Sequence, residues 1–507
     1  MCGRLNILIR TLKGIRMRYR SKPNYLETLE SPKVPFPISL PPLSLNPVTT
    51  SILLAAVIAV FFLGRKNSKL PHANPPAWYA PKIINQLHSM QNGIKILEDG
   101  RKRFPNQPFR IIQNTREVIV FPERFANTFR NEEGLSFAAD FHSNTPEFTP
   151  IKIIEHQGQV LQNVTQKPLT KLLNTITKPL ASKAIFAINH ILGHPTDTLI
   201  LDSMLDFIAR LSSRLKITKQ YTVDITCAAL MLTPVPLSLR FLVAIFSKQC
   251  RAVRGQLRRA QELIRPVIEE RRLLKEQARK EGKLIPKFND AIEWGDQECK
   301  GISYDPASLQ LLLSVATIYT TSDLLLKLLI LLAREPELIE PLREEIITSK
   351  NSLFNIKLVD SAIKEAQRLM PIKHLSMRRI ATKDVHVAES NITIRKGEYV
   401  TVEDTHGASL PAGEDIQKFD IYPHFVSTSP EHLGFGHGTH ACPGRFFAAN
   451  EIKIALCFLL LQYDWELAPG TTADLNHFGL SCLVDPNSTL RYRKREAEID
   501  LEALKFE

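Results

Sequence analysis

Apolar positions in this chain recur mostly at the three-to-four spacing of α-helices. From Arg251 to Lys283, spaced apolar residues sit among mixed acidic and basic ones, which predicts a solvated amphipathic helix. Leu309 to Leu332 is apolar almost throughout, but Asp323 and Lys327 inside it predict a helix through a protein core rather than a membrane span. Phe446 to Leu461 reads as a further apolar-rich helix. Short strand-like pieces at Phe109 to Ile112, Val118 to Phe121 and Val385 to Val387 predict a minor sheet. The outline is a mainly α domain.

The N-terminal pattern is different. No charge occurs between Lys33 and Arg65, and the second part of that stretch, Val48 to Leu63, is at the short end of what spans a bilayer. The expected division is a basic and proline-rich arm at 1–47, a transmembrane anchor at 48–64, a proline-rich hinge at 65–80 and one catalytic domain at 81–507. Arg65, Lys66, Lys69 and Lys82 follow the anchor and only Lys33 precedes it closely, which places the bulk of the chain in the cytosol. The basic stretch from Arg4 to Lys22 pulls the other way and suggests a mitochondrial presequence as the alternative.

Composition narrows the class. At 507 residues, 44% hydrophobic and 23% charged, the chain is globular, not wholly disordered, collagen-like or coiled-coil, and can enclose an organic cofactor. The net charge of +13 suits nucleic acid, anionic lipid or an acidic protein partner and does not choose among them. Seven single cysteines with no C-x-x-C pair argue against a disulfide scaffold and against a structural zinc site. The sequons at Asn163, Asn391 and Asn487 then read as chance matches. The charge-rich Arg491 to Glu507 tail is expected to form a surface helix.

The most specific segment is Phe435-Gly-His-Gly-Thr-His-Ala-Cys-Pro-Gly444, followed by Arg445-Phe446-Phe447-Ala448. Its glycines allow a tight turn, and Cys442 ends the loop just before the Phe446–Leu461 helix. The helix dipole and free N–H groups there favour a thiolate. One thiolate among backbone donors suits a haem iron with a sulfur ligand; the bland alternative is a buried structural cysteine.

The pattern F-x-x-G-x-[HR]-x-C-x-G resembles the haem-binding loop of cytochrome P-450 monooxygenases, and every fixed position is matched. The resemblance implies the cytochrome P-450 fold, a helix-rich haem domain with a minor β-sheet and an N-terminal membrane anchor. It implies haem b (iron protoporphyrin IX), with Cys442 as axial iron ligand, His440 at the propionate-binding position and Phe435 shielding the sulfur. Arg378 or Arg379 would neutralise a propionate, or else be surface cations. Glu365 and Arg368 lie one helical turn apart in KEAQRLMP and resemble the family's structural pair beneath the haem. Five other E-x-x-R pairs (Glu98–Arg101, Glu262–Arg265, Glu269–Arg272, Glu276–Arg279 and Glu340–Arg343) read mostly as solvated helix faces.

A mid-helix Thr often bonds back to its own backbone and bends the helix. Ala316-Thr-Ile-Tyr-Thr-Thr321 looks like the family's oxygen-activation segment, with Thr320 the catalytic candidate and Thr321 beside it. Tyr319 stands where an acid or other relay residue is usual, and a phenol with a pKa of about 10 is a poorer proton donor. The family's P-x-R-F segment is also missing its arginine. Its nearest counterpart is Phe419 to Phe425, with His424 the possible substitute. That segment is shortened, as are Arg214 to Thr218 and Thr348 to Asn355. No W-x-x-x-R occurs, leaving Lys167 or Lys171 in its place.

The resemblance implies a monooxygenase that oxidises an apolar small molecule with O₂. ATIYTTSD, PELIEPLREEI and HLGFGHGTHACPGRFFAANEIK look like fungal microsomal members acting on terpenoid or related secondary metabolites. With no flavin or nicotinamide fingerprint in the chain, electrons are expected from a separate NADPH-cytochrome P-450 reductase, with cytochrome b5 a further donor. Arg445 and Lys453 are candidate attractors of its acidic face. The expected setting is the endoplasmic reticulum membrane, single-pass, with no nucleic-acid partner. The rivals are a haem-binding but catalytically impaired relative, a haem-thiolate isomerase or peroxygenase, and a basic membrane-surface protein without haem.

Overall fold

The computed structural model describes residues 70–75, 82–113, 116–144, 153–193, 198–404 and 424–499, less a few short gaps. The basic arm, the expected anchor and most of the expected hinge lie outside these residues. The stretch from His72 onward forms one compact unit.

Its principal helices are α1 (Lys82–Arg103), α2 (Ile153–Val164), α3 (Leu201–Ser212), α4 (Thr218–Leu232), α5 (Lys248–Lys280), α6 (Pro306–Arg334), α7 (Ile339–Thr348), α8 (Lys357–Leu369) and α9 (Arg445–Gln462). The organising element is α6. Asp305 caps it by accepting from the Ala307 and Ser308 amides, and Pro306 fits the first turn, where no N–H is needed. It is long and apolar enough to cross a membrane, yet most of its apolar length is buried in protein. Leu324 to Leu332 pack with the cores of α3, α8 and α9. Asp323 and Lys327 form a buried pair at 2.6 Å, one turn apart. Lys327 donates to the Cys482 carbonyl at 2.8 Å, and Asp323 accepts from the Val484 amide at 3.3 Å. The two charges that break the apolar run are thus bolts to the C-terminal sheet.

The principal strands are β1 (Phe109–Gln113), β2 (Arg116–Phe121), β3 (Leu135–Ser136), β4 (Leu375–Ala381), β5 (Tyr399–Glu403), β6 (Tyr463–Leu467), β7 (Leu475–Phe478), β8 (Ser481–Val484) and β9 (Leu490–Lys494). Five of them make one sheet in the order β1-β2-β5-β4-β3, and Val385–Val387 forms a small separate ladder. The β2–β5 pair is parallel and the other neighbours are antiparallel.

One expectation is refined and one corrected here. Within the expected proline-rich hinge, His72 to Asn74 is docked on the sheet: His72 bridges Arg110, and Asn74 exchanges side-chain hydrogen bonds with Ile112. The tail does not start as a helix, because Leu490–Lys494 pairs with β6 and buries Leu490 and Tyr492.

Candidate active site

The 433–444 loop is wound by its own backbone. Cys442 N donates to Phe435 O at 2.7 Å, and Ala441 N to Gly438 O at 3.0 Å. Gly438, at φ +77°, has the Arg130 carbonyl 2.3 Å from where a Cβ would stand, so no side chain fits there. Cys442 is followed at once by α9, and the Gly444 and Arg445 amides reach its sulfur. Arg445 donates to Cys442 O at 2.9 Å and to Val426 O at 3.2 Å, pinning the loop to a neighbouring segment. The Phe435 ring packs against Phe425 at 4.9 Å. The expectation of a favoured thiolate needs correcting. Burial raises the Cys442 thiol above its ordinary value, outweighing the two amides and Arg445. The amide pair therefore suits a sulfur that loses its proton to solvent when a metal binds it.

Beneath the loop, Arg368 Nε donates to Glu365 Oε2 at 2.8 Å, and the second guanidinium contact completes a bidentate pair around a buried carboxylate. Between them Gln367 Oε1 accepts from His432 Nε2 at 2.8 Å. Gln367 also lies 2.3 Å from the Cβ position of Gly434, so α8 and the Cys442 loop interlock there.

His424 does not take the missing arginine's place. Its Nδ1 lies 3.0 Å from Asp360, whose other oxygen meets Lys453 at 2.7 Å. Lys453 is itself buried and donates to Leu353 O, and Arg445 is spent on the loop, so neither is a free surface cation for a redox partner. Glu340–Arg343 is no solvated pair either. Arg343 is buried and donates to Leu460 O, Tyr463 O and Asp464.

On β4 the two arginines differ. Arg378 contacts Asp140 at 3.3 Å. Arg379 is buried, donates to Arg378 O, and keeps an Nε with no partner among the described residues. Burial pushes its guanidinium down to about 10, and His440 is lowered by burial first and by the Arg379 charge second. Phe137 lies beside both, with Arg379 5.7 Å and His440 6.4 Å from its ring centre. A desolvated guanidinium with an orphan donor, beside His440, is what a haem carboxylate would complete.

Along α6, Ala316 and Thr320 are exposed, while Val315, Thr317 and Tyr319 are half-buried and Ile318 and Thr321 buried. Their spacing of one turn gives that stretch a face of its own. Thr320 Oγ1 donates to Ala316 O at 2.8 Å, the back-bonding geometry expected of it. Thr321 turns into the core, toward Glu451 of α9. Tyr319 packs on the main core near Asp323 and Cys227, and its phenol is raised by burial first and Asp323 second. Thr321 and Tyr319 are therefore not on the Thr320 face.

Lys167 sits on a π-turn at Thr165–Leu169, where Pro168 removes an N–H, and pairs with Glu298 at 3.1 Å. Lys171 is exposed. Sequence reasoning missed Glu451. Its one signal was an acid inside an apolar helix.

A helix-rich haem-type fold with a glycine-wound cysteine loop beneath a long core helix defines a haem-thiolate enzyme. The chain belongs to the cytochrome P450 family, whose profile, described as Cytochrome P450, matches residues 154–490. It is a cytochrome P450 monooxygenase, and proteins of this family bind haem b. The chain is 37% identical to "Cytochrome P450 monooxygenase hepE" of Aspergillus oryzae, over 90% of this chain and 92% of that protein. It is 32% identical to "Cytochrome P450 monooxygenase TRI1" of Fusarium sporotrichioides, over 87% and 88%. Among solved structures, retinoic acid bound cyanobacterial CYP120A1 superposes with a TM-score of 0.60 at 18% identity, covering 84% of this chain and 100% of that one.

Proposed function

We propose that the protein holds haem b through Cys442 and oxidises an apolar small molecule, a terpenoid or related intermediate of fungal secondary metabolism. The observation that carries this is the convergence of the Gly444 and Arg445 amides on the Cys442 sulfur at the start of α9. Cys482, the other cysteine near the C-terminus with ligand-type neighbours, lies in a strand and has no helix N-terminus behind it. Arg379 and His440 hold the carboxylates of the haem, and Phe435 shields the sulfur. When bound, the haem supplies activation of O₂, one atom entering a C–H bond and the other leaving as water. The overall balance is substrate, O₂, NADPH and H⁺ giving hydroxylated product, NADP⁺ and water. A separate NADPH-cytochrome P-450 reductase delivers the electrons.

The chain's own part is to position and to exclude. On the accessible face of α6 Thr320, its hydroxyl donating to Ala316 O, stands ready to accept from and orient a proton-bearing water. Tyr319 faces the core, so the proton route to Thr320 runs through the ordered water it orients rather than through the Tyr319 phenol.

The anchor reading follows the charge-free 48–63 stretch. The exposed Leu239, Phe241, Leu242, Ile245 and Phe246 of the Leu237–Phe246 helix add an apolar surface suited to a membrane. The proposed setting is the endoplasmic reticulum, with the domain in the cytosol.

The test is the CO difference spectrum of the reduced, membrane-expressed protein. Wild type and Cys482→Ser are expected to show the Soret band of thiolate ligation, and Cys442→Ala to lose it. A band that survives Cys442→Ala would sink the assignment. Product formation with reductase and NADPH, and its absence without reductase, separates the monooxygenase from a peroxygenase or isomerase.

A further inference from the structure

The lack of a C-x-x-C pair speaks against zinc on spacing alone, but folding gathers ligands from two distant segments. Residues 372–374, which follow α8, lie alongside β8 and are joined to the β7–β8 hairpin by an isolated antiparallel bridge. Lys373 bridges Ser481, His374 N donates to Leu480 O at 3.1 Å, and Cys482 N donates to Ile372 O at 2.8 Å. Within the hairpin His477 is directly opposite Cys482. Alternation then puts His374 on the same face as Cys482, diagonally across the strands. One donor atom from each of His374, His477 and Cys482 lies within 4.8 Å of the others.

We propose that His374, His477 and Cys482 form a zinc(II) site that ties the segment after α8 to the C-terminal hairpin. Two neutral imidazoles and one thiolate are a borderline-soft donor set that matches zinc, with a fourth position left for water. Tetrahedral zinc needs its donors roughly 3.3–3.8 Å apart, so a movement on the order of an ångström closes the site. A second observation points the same way: His374 is 8% exposed, and its Nε2 has no hydrogen-bond partner among the described residues. A buried imidazole nitrogen is rarely left idle. Binding forms three protein–zinc bonds and releases the Cys482 thiol proton to solvent.

The surrounding charge permits a cation. Lys327, whose field reaches both rings, is neutralised by Asp323, and Arg101 is paired with Glu403 at 2.6 Å. The Glu98 carboxylate acts on His477 from α1. The bound ion would fix the 372–374 segment, which leads directly to Arg378 and Arg379 on β4.

The experiment uses the full-length, haem-loaded protein from zinc-supplemented cells, dialysed against a weak chelator. Elemental analysis is expected to find about one zinc per haem, and zinc-edge X-ray absorption one sulfur at about 2.3 Å with nitrogens at about 2.0–2.1 Å. His477 is exposed, so His477→Ala should fold and keep its haem spectrum while binding zinc about 100-fold more weakly. Adding zinc to chelator-treated wild type should raise its melting temperature, and should not raise that of His477→Ala. Wild type without zinc after dialysis, or zinc held equally well by His477→Ala, overturns the site. So does loss of the thiolate Soret band in folded Cys482→Ser, which would assign that sulfur to the haem and also end the Cys442 reading.

Discussion

Ser212 Oγ lies 2.6 Å from Glu451 Oε1 and 2.7 Å from the carbonyl oxygen of Ile208. One hydroxyl proton cannot serve both acceptors. The arrangement closes if Glu451 is protonated and donates to Ser212, while Ser212 donates to Ile208. Burial pushes the Glu451 carboxyl up to about 8 from 4.5, against smaller opposing effects of Ser212, Lys183 and Thr321. Since the folded value is raised, folding takes up a proton wherever the unfolded carboxyl is ionised. The stability contributed is full below about pH 4.5 and falls as pH rises to about 8, by an amount on the order of 5 kcal/mol. Glu451→Gln is expected to remove this slope and to be more stable than wild type above pH 8. Paired denaturant titrations at pH 5.5 and 8.5 check it; identical slopes in the two proteins would contradict a neutral Glu451.

Arg379 and Arg378 are neighbours with different prospects. Arg378 already has Asp140, whereas Arg379 carries a desolvated charge and an idle Nε beside His440. Arg379→Leu is therefore expected to lower haem retained through purification by about tenfold, the loss of a charge-assisted pair, and Arg378→Leu to lower it much less. Haem-to-protein ratio by pyridine haemochrome measures both. Equal losses would mean that the two cations share the role.

Thr320 and Thr321 separate by face. Thr320→Ala removes the hydroxyl on the accessible face, so NADPH and O₂ consumption should continue while product per NADPH falls, the remainder appearing as peroxide. Thr321→Ala touches the Glu451 cluster and should leave coupling alone while changing the pH dependence of stability. Parallel measurement of product, peroxide and NADPH distinguishes them.

The family and its loop were legible because backbone demands are written locally. Glycines, the cysteine and the following apolar helix are consecutive, so the Cys442 loop could be read residue by residue. The strands at β1 and β2 and the core nature of α6 were legible for the same reason, through period and through Asp323 and Lys327. What the sequence hid depends on long-range partners. The role of His424 was decided by Asp360, the burial of Lys453 by Leu353, and the docking of His72 by Arg110. Thr320 and Thr321 differ by a rotation of about 100° on the helix, which only the packing around α6 turns into different jobs.

Arg343 offers the clearest stability test, because its pattern is the one that was read as solvated. Its guanidinium is buried and spans from α7 to the α9–β6 corner through Leu460 O at 2.9 Å, Tyr463 O at 3.1 Å and Asp464 at 2.8 Å. Glu340, the partner that the sequence pattern suggests, is largely exposed, and its oxygen is 3.4 Å away. The arginine therefore serves two backbone carbonyls and a carboxylate at a junction of core elements. Arg343→Ala takes this donor from the two buried carbonyls, while Asp464 keeps Arg493 and Arg495, and is expected to cost about 2–3 kcal/mol. Glu340→Ala, an exposed i,i+3 loss, is expected to cost no more than about 0.5 kcal/mol. Chemical denaturation of both variants in the haem-loaded state reads the difference, and comparable costs would show that the helical pair, not the corner, is what Arg343 stabilises.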